Sequence, residues 1–224
     1  MDSTRATDTT GLTFFFLDEA DTVEALAARI MPGDAEDPGA REAGVLSYID
    51  RALSGAYSEW QGSYKEGVRT LNAYTNQRYG KKFFELPEAD QDSVVGALEN
   101  GEVRGFGDSD GGTSGAEAFF TMVWAHTVEG MFADPAYGGN REAAGWKMVG
   151  FPGAQHGYSA EEMRYGADLS GKAIMTLGDI GKLAREQPQL FYQRPGPDPS
   201  VTEDETPEIP TPPQDPGEAG LQGG

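Results

Sequence analysis

Gly115-Ala-Glu-Ala-Phe-Phe-Thr-Met-Val-Trp-Ala-His-Thr-Val-Glu-Gly-Met-Phe132 is the stretch on which the fold turns. It contains no proline, and its alanines and long side chains favour a helix. Phe119, Phe120, Met122, Val123, Trp124, Val128, Met131 and Phe132 point in most directions around that helix, which predicts burial on nearly all sides. The segment therefore reads as a central helix, and the rest of the chain supplies the layer around it.

Working toward the N-terminus, Gly-rich residues 100–115 read as a mobile loop. Pro87 opens a helix carrying Val94, Val95 and Leu98, with Gly101 just past its end. Tyr57, Trp60, Tyr64, Val68 and Leu71 recur at spacings of three or four and predict a helix over about 57–78. Val45, Tyr48, Ile49, Ala52 and Leu53 share a stripe over about 41–54. Asp18 is the expected cap of a helix with Val23, Leu26, Ala27 and Ile30 on one face, stopped at Pro32 and Gly33. Towards the C-terminus, Ser159 with Glu162, and Thr176 with Asp179, are capping-box patterns that predict two shorter helices. Strand-type alternation is scarce. The fold class is all-α, an irregular multi-helix domain over 18–192 with a long glycine-rich loop segment. Residues 1–17 are expected as a flexible arm.

Composition breaks after Arg194. From Pro195 to Gly224 there are eight prolines, seven carboxylates and no Lys or Arg. Such a segment buries too little to offset its ordering entropy, so 193–224 reads as a disordered or extended acidic tail, or as a strap along a partner. The whole chain of 224 residues carries a formal charge of −20, which repels phosphate backbones and argues against nucleic-acid binding. Eleven of its cationic residues are Arg and six are Lys; excess acid with scarce Lys suits a strongly hydrated surface, as in salt-adapted proteins. It has no cysteine, which removes disulfides, thiolate metal sites and a catalytic thiol. No run of apolar residues is long enough to span a bilayer. With no targeting segment visible, its own signals predict a cytoplasmic location.

Chemistry is sparse. There is no phosphate loop, dinucleotide fingerprint, H-E-x-x-H or G-x-S-x-G elbow. Only two histidines are present. His126 and Glu129 sit three apart on the central helix, either as a metal-ligating or proton-transfer pair or as a satisfied polar pair in the core. The order is His-x-x-Glu and no second copy exists, unlike the Glu-x-x-His repeat of di-iron bundles. Asp108 and Asp110 faintly suggest a calcium loop, but the spacing and distal Glu of such loops are missing, and a solvated loop is the expected reading. No catalytic, cofactor-binding or metal-binding residue is assigned.

The richest stretch runs from Asp134 to Gly153, where five glycines and two prolines mark tight turns among large aromatics. Tyr137, Asn140, Arg141, Trp146, Phe151 and Pro152 are the candidate partner-interface residues. Tyr137, Trp146, Phe151 and Arg141 are the expected anchors, because aromatics and arginine carry most interface energy. A loop packed on its own core has the same composition, and Asn140 with the glycines suits a role in holding loop conformation.

This stretch resembles the gluconate 2-dehydrogenase subunit 3 family. The resemblance is densest through His126-Thr127, Glu129-Gly130, Phe132-Ala133-Asp134-Pro135, Tyr137-Gly138-Gly139-Asn140-Arg141, Gly145-Trp146-Lys147 and Gly150-Phe151-Pro152-Gly153. Earlier pieces agree, among them Leu26-Ala27-Ala28-Arg29-Ile30-Met31-Pro32 and Tyr48-Ile49-Asp50, so that about residues 18–155 are covered. The resemblance implies a non-catalytic small subunit that packs against an FAD-containing large subunit of the glucose–methanol–choline type. That partner would oxidise a sugar, polyol or alcohol and pass electrons to a cytochrome or another acceptor. FAD is expected in the partner and no cofactor in this chain. The twin-arginine segment often found in the family is missing here, so the alternatives to a cytoplasmic complex are export by a signal on the partner, or signal removal. Two rival readings use the 126–153 region differently: a stand-alone small enzyme, and a sugar-binding module stacking sugars on Tyr137, Trp146 and Phe151.

Overall fold

The computed structural model describes residues 11–107, 114–169 and 171–192. Among them lie eight α-helices and no strand. These are α1 (Leu17–Ile30), α2 (Val45–Leu53), α3 (Gln61–Tyr79), α4 (Glu88–Glu99), α5 (Gly115–Phe132), α6 (Ala144–Val149), α7 (Leu177–Glu186) and α8 (Gln189–Tyr192). The all-α expectation holds. The acidic tail and the Asp108–Asp110 loop lie outside the described residues.

Helix α5 is the hub and packs against α1, α2, α3, α4 and α6. Its N-terminus is fixed by Ser114, whose Oγ accepts the N–H groups of Ala116 and Glu117 at 3.2 and 3.4 Å. Phe119, Met122, Val123 and Met131 are buried in one core with Val23 and Leu26 of α1, Ile49 and Leu53 of α2, Tyr64 and Leu71 of α3, and Val94 and Leu98 of α4. Each fully buried aliphatic side chain of this set contributes about 1.5–3 kcal/mol. Burial around α5 is not complete, however. Trp124 is 48% exposed and Thr121 is exposed beside it, so one stripe of the hub helix faces outward.

Helix α1 starts one residue before Asp18, which lies inside the first turn rather than at the cap. Glu19 does the capping, its Oε2 accepting the Phe16 N–H at 2.9 Å. Lys65 of α3 pairs with the same carboxylate and lies over the rings of Phe14 and Phe16 at 4.4 and 4.7 Å. Arg29 near the end of α1 joins α4 through Glu88 at 3.1 Å and Asp92 at 2.6 Å.

Residues 11–17 were expected to belong to a flexible arm, but Thr13–Phe15 are pinned. The buried carboxylate of Asp50 accepts the backbone N–H groups of Thr13, Phe14 and Phe15 at 2.7, 2.9 and 3.0 Å, and the Thr13 hydroxyl at 2.8 Å. Phe15 is thereby held in the core against Tyr64. Burial pushes the Asp50 carboxyl up, but these donors outweigh it and hold it below the ordinary aspartate value.

The capping box at Thr176 forms as expected: Thr176 Oγ1 accepts the Asp179 N–H at 3.2 Å, and Asp179 accepts the Thr176 N–H at 2.9 Å. The one at Ser159 forms its two bonds with Glu162 but leads into turns instead of a helix. Met163 and Tyr165 are exposed there, so no apolar face is buried to sustain helix growth.

Candidate functional site

The turn-rich segment after α5 is the cap of the hub helix. A helix end leaves its last carbonyls without intrahelical donors. Here the next twenty residues supply them. Asn140 N–H donates to the Gly130 carbonyl at 2.7 Å, Asn140 Nδ2 to Ala133 at 2.8 Å, and Trp146 Nε1 to Phe132 at 2.6 Å. The Asn140 Oδ1 accepts the Gly145 N–H at 2.9 Å, and the Arg141 N–H reaches back to Ala43 at 2.9 Å. Close approach explains two of the glycines: a Cβ on Gly139 would lie 2.2 Å from the Gly130 carbonyl oxygen, and one on Gly145 would lie 2.2 Å from that of Met131.

Asn140, Glu142 and Ala143 all adopt positive φ, of 45°, 55° and 56°. Left-handed backbone at alanine and glutamate costs energy, and the bonds around Asn140 hold it in place. The strained turn leads into α6, a helix that periodicity over six residues was too short to announce. Asp134 links the cap to the C-terminal part, accepting Ala136 N–H at 2.9 Å and Leu177 N–H at 2.8 Å. Gly153 and Met175 form an isolated parallel bridge beside it.

The six candidate interface residues fall into two groups. Tyr137 is 56% exposed, Phe151 is 45% exposed, and Arg141 is also exposed. Asn140, Trp146 and Pro152 are buried. Trp146 was expected among the anchors, but at 4% exposure its ring is committed to the fold, with Phe151 packed edge-on against it at 5.3 Å. The reason is its indole N–H, which is spent on the end of α5. Met148 and Val149, which the sequence reading passed over, stand exposed on the same short helix. Arg141 and Lys147 line a depression of about 560 Å³ whose other charged residues are Glu36, Asp37, Glu42 and Glu142.

His126 and Glu129 share one aromatic cluster but do not hydrogen-bond to each other. His126 Nδ1 lies 3.0 Å from the Tyr64 hydroxyl, and its ring runs nearly parallel to those of Tyr57 and Tyr64, with centroids at 4.8 and 5.8 Å. Glu129 accepts the hydroxyls of Tyr48 at 2.9 Å and Tyr57 at 3.3 Å. Burial lowers the His126 pKa from its ordinary value, against the opposing pull of the Glu129 charge, and so favours the neutral imidazole. Burial, then the bond to Glu129, raises the Tyr48 hydroxyl. Among the described residues no group of three or more His, Asp or Glu is placed to hold a metal ion, and no helix is long and apolar enough to cross a membrane.

A scan against protein families matches residues 17–153 to Gluconate 2-dehydrogenase subunit 3. The match spans α1 to the end of the α5 cap and covers more than half the chain. The chain belongs to the gluconate 2-dehydrogenase subunit 3 family. Members of this family are accessory subunits of a dehydrogenase complex. Searches of curated proteins and of solved structures found no match. In subunit 3 terms, the family region ends at Gly153, where the α5 cap ends. The blocks that carried the resemblance, Gly-Gly-Asn-Arg and Gly-Trp-Lys, are therefore the parts that finish the hub helix.

Proposed function

We propose that this chain is a non-catalytic subunit that binds and stabilises an FAD-containing large subunit of the glucose–methanol–choline type, which oxidises a sugar, polyol or alcohol. One observation carries the reading beyond family membership. The α5 cap is held by buried Asn140 and Trp146, and it presents Tyr137, Met148, Val149 and Phe151 to solvent. A rigid element with apolar and aromatic side chains turned outward suits a permanent partner, because little side-chain and loop entropy remains to be lost on docking. Arg141 and Lys147 border the same element and suit its rim. The flavin, the substrate pocket and the route to a cytochrome or other acceptor then belong to the partners.

Co-expression of the flavoprotein with and without this chain tests the reading. The large subunit is expected to lose yield, bound flavin and activity when the chain is omitted. Equal yield, flavin content and activity in both preparations would overturn it.

A further inference from the structure

Helix α4 runs out onto Asn100-Gly101, the one Asn-Gly pair in the sequence. Asn100 is exposed, and Gly101 follows it in left-handed backbone at φ 71°. Two bonds close this helix end. The Gly101 N–H donates to the Leu98 carbonyl at 3.0 Å, and the Glu102 N–H donates to that of Ala97 at 2.8 Å. Such a pair satisfies the last carbonyls of a helix. Buried Val103 anchors the chain just beyond it. The Gly101 carbonyl then accepts the Ser114 hydroxyl at 3.3 Å, and the same Ser114 caps the hub helix α5.

An asparagine before glycine has a reaction open to it, because no side chain on the glycine hinders approach of its nitrogen. A bond forms between the Gly101 nitrogen and the Asn100 Cγ, and the Cγ–Nδ2 bond breaks. The side-chain nitrogen leaves as ammonia, taking the proton of the Gly101 amide. Water opens the resulting succinimide at either carbonyl, leaving aspartate or isoaspartate at position 100. The closed helix end blocks the first step twice. Leu98 holds the Gly101 N–H, and a ψ of 1° at Asn100 eclipses the Gly101 nitrogen with Asn100's own nitrogen, away from the Cβ–Cγ arm.

We propose that Asn100 is a deamidation site sealed by the end of α4, and that local opening of this end converts it to isoaspartate. Isoaspartate adds a methylene to the main chain between α4 and Gly101. The two closing bonds do not re-form over that longer path, and the Ser114 contact that starts the hub helix is lost with them. The site stands whether or not the chain docks a flavoprotein.

The full chain is incubated at mildly alkaline pH, folded and in urea. The peptide containing Asn100 is followed by mass spectrometry for replacement of –NH₂ by –OH, and isoaspartate is scored by enzymatic methylation. Conversion at Asn100 is expected in both samples, at least about ten-fold slower in the folded chain, where it waits on local opening. Asn100→Ser should show none at this position. Val103→Ala, which removes the buried anchor, should speed conversion in the folded chain, and Ser114→Ala should do the same if the first variant fails to fold. The isoaspartyl chain, separated by ion exchange, should show faster amide exchange at Ala116 and Glu117, the two groups that Ser114 accepts. Equal rates in the folded chain and in urea, or no isoaspartate at position 100 in either, overturns the site. Conversion unaltered in both variants overturns its control by the helix end. Unchanged exchange at Ala116 and Glu117 overturns its effect on the hub helix.

Discussion

Asn140 donates its side-chain N–H to the carbonyl of Ala133 at 2.8 Å while its own backbone N–H satisfies Gly130. A single buried residue thus ties off the end of the hub helix and shapes the segment proposed to meet the partner. Removing it leaves the half-buried Ala133 carbonyl and the buried Gly145 N–H without these partners, and it puts another side chain in left-handed backbone. Asn140→Ala is expected to cost about 2–4 kcal/mol, read as a lower urea midpoint with an unchanged slope. A midpoint within error of the parent chain would remove Asn140 from this role.

Two glycine substitutions should change stability in opposite directions. Gly145→Ala drives a Cβ to 2.2 Å from the Met131 carbonyl and is expected to destabilise by about 2–4 kcal/mol. Gly96, inside α4, has nothing within 4 Å of where its Cβ would stand, and Gly96→Ala should stabilise by about 0.5–1 kcal/mol. Thermal unfolding of the pair checks the close approach at the α5 cap against plain helix propensity.

Asp50 makes stability depend on pH in a defined direction. Its folded pKa lies below 3.8, so its contribution is fully present above the unfolded value and is lost as pH falls through the folded one. The parent chain should therefore lose stability across the acid range below about pH 4, the ordinary aspartate region. Asp50→Asn should be less stable at pH 7 and lose stability less steeply across the acid range below about pH 4. It should also speed amide exchange at Thr13, Phe14 and Phe15. Protection of these three amides unchanged in the variant would contradict the anchoring described above.

His126 provides a separate electrostatic check. Its titration midpoint, followed by NMR of the ring nitrogens, should lie below 6.5 in the folded chain. Glu129 opposes that shift, so Glu129→Gln should lower the midpoint further. A midpoint above 6.5 would mean that the imidazole is solvated or carries its proton in the folded chain.

Much of this architecture was legible in the residues. The apolar spread of 115–132 marked α5 at both ends, and stripes such as Val23, Leu26 and Ala27 marked the helices around it, because burial leaves a periodic trace. The trace fails where local chemistry is set by tertiary contact. Trp146 reads as an interface anchor until its indole N–H is seen to serve Phe132, and no periodicity reports a hydrogen bond fourteen residues away. The Ser159 box was legible as a cap but not as a failure, since its bonds form without an apolar face to extend them. Asp50 carried no signal of its role, because the donors it accepts belong to backbone thirty-five and more residues earlier. Of the candidate site, the loop was readable from glycine and aromatic content. The division of its residues into buried struts and exposed contacts was not.

The central claim is that the exposed side chains of the α5 cap bind a flavoprotein, and capture of flavin by the tagged chain tests it most directly. The tagged parent chain should retain the large subunit together with its flavin absorbance through purification. Tyr137→Ala with Phe151→Ala, which leaves Asn140 and Trp146 in place, should cost about 2 kcal/mol per anchor and release most of that flavin while the variant stays folded. Flavin that never accompanies the parent chain, or that is retained equally by the folded variant, would contradict the claim.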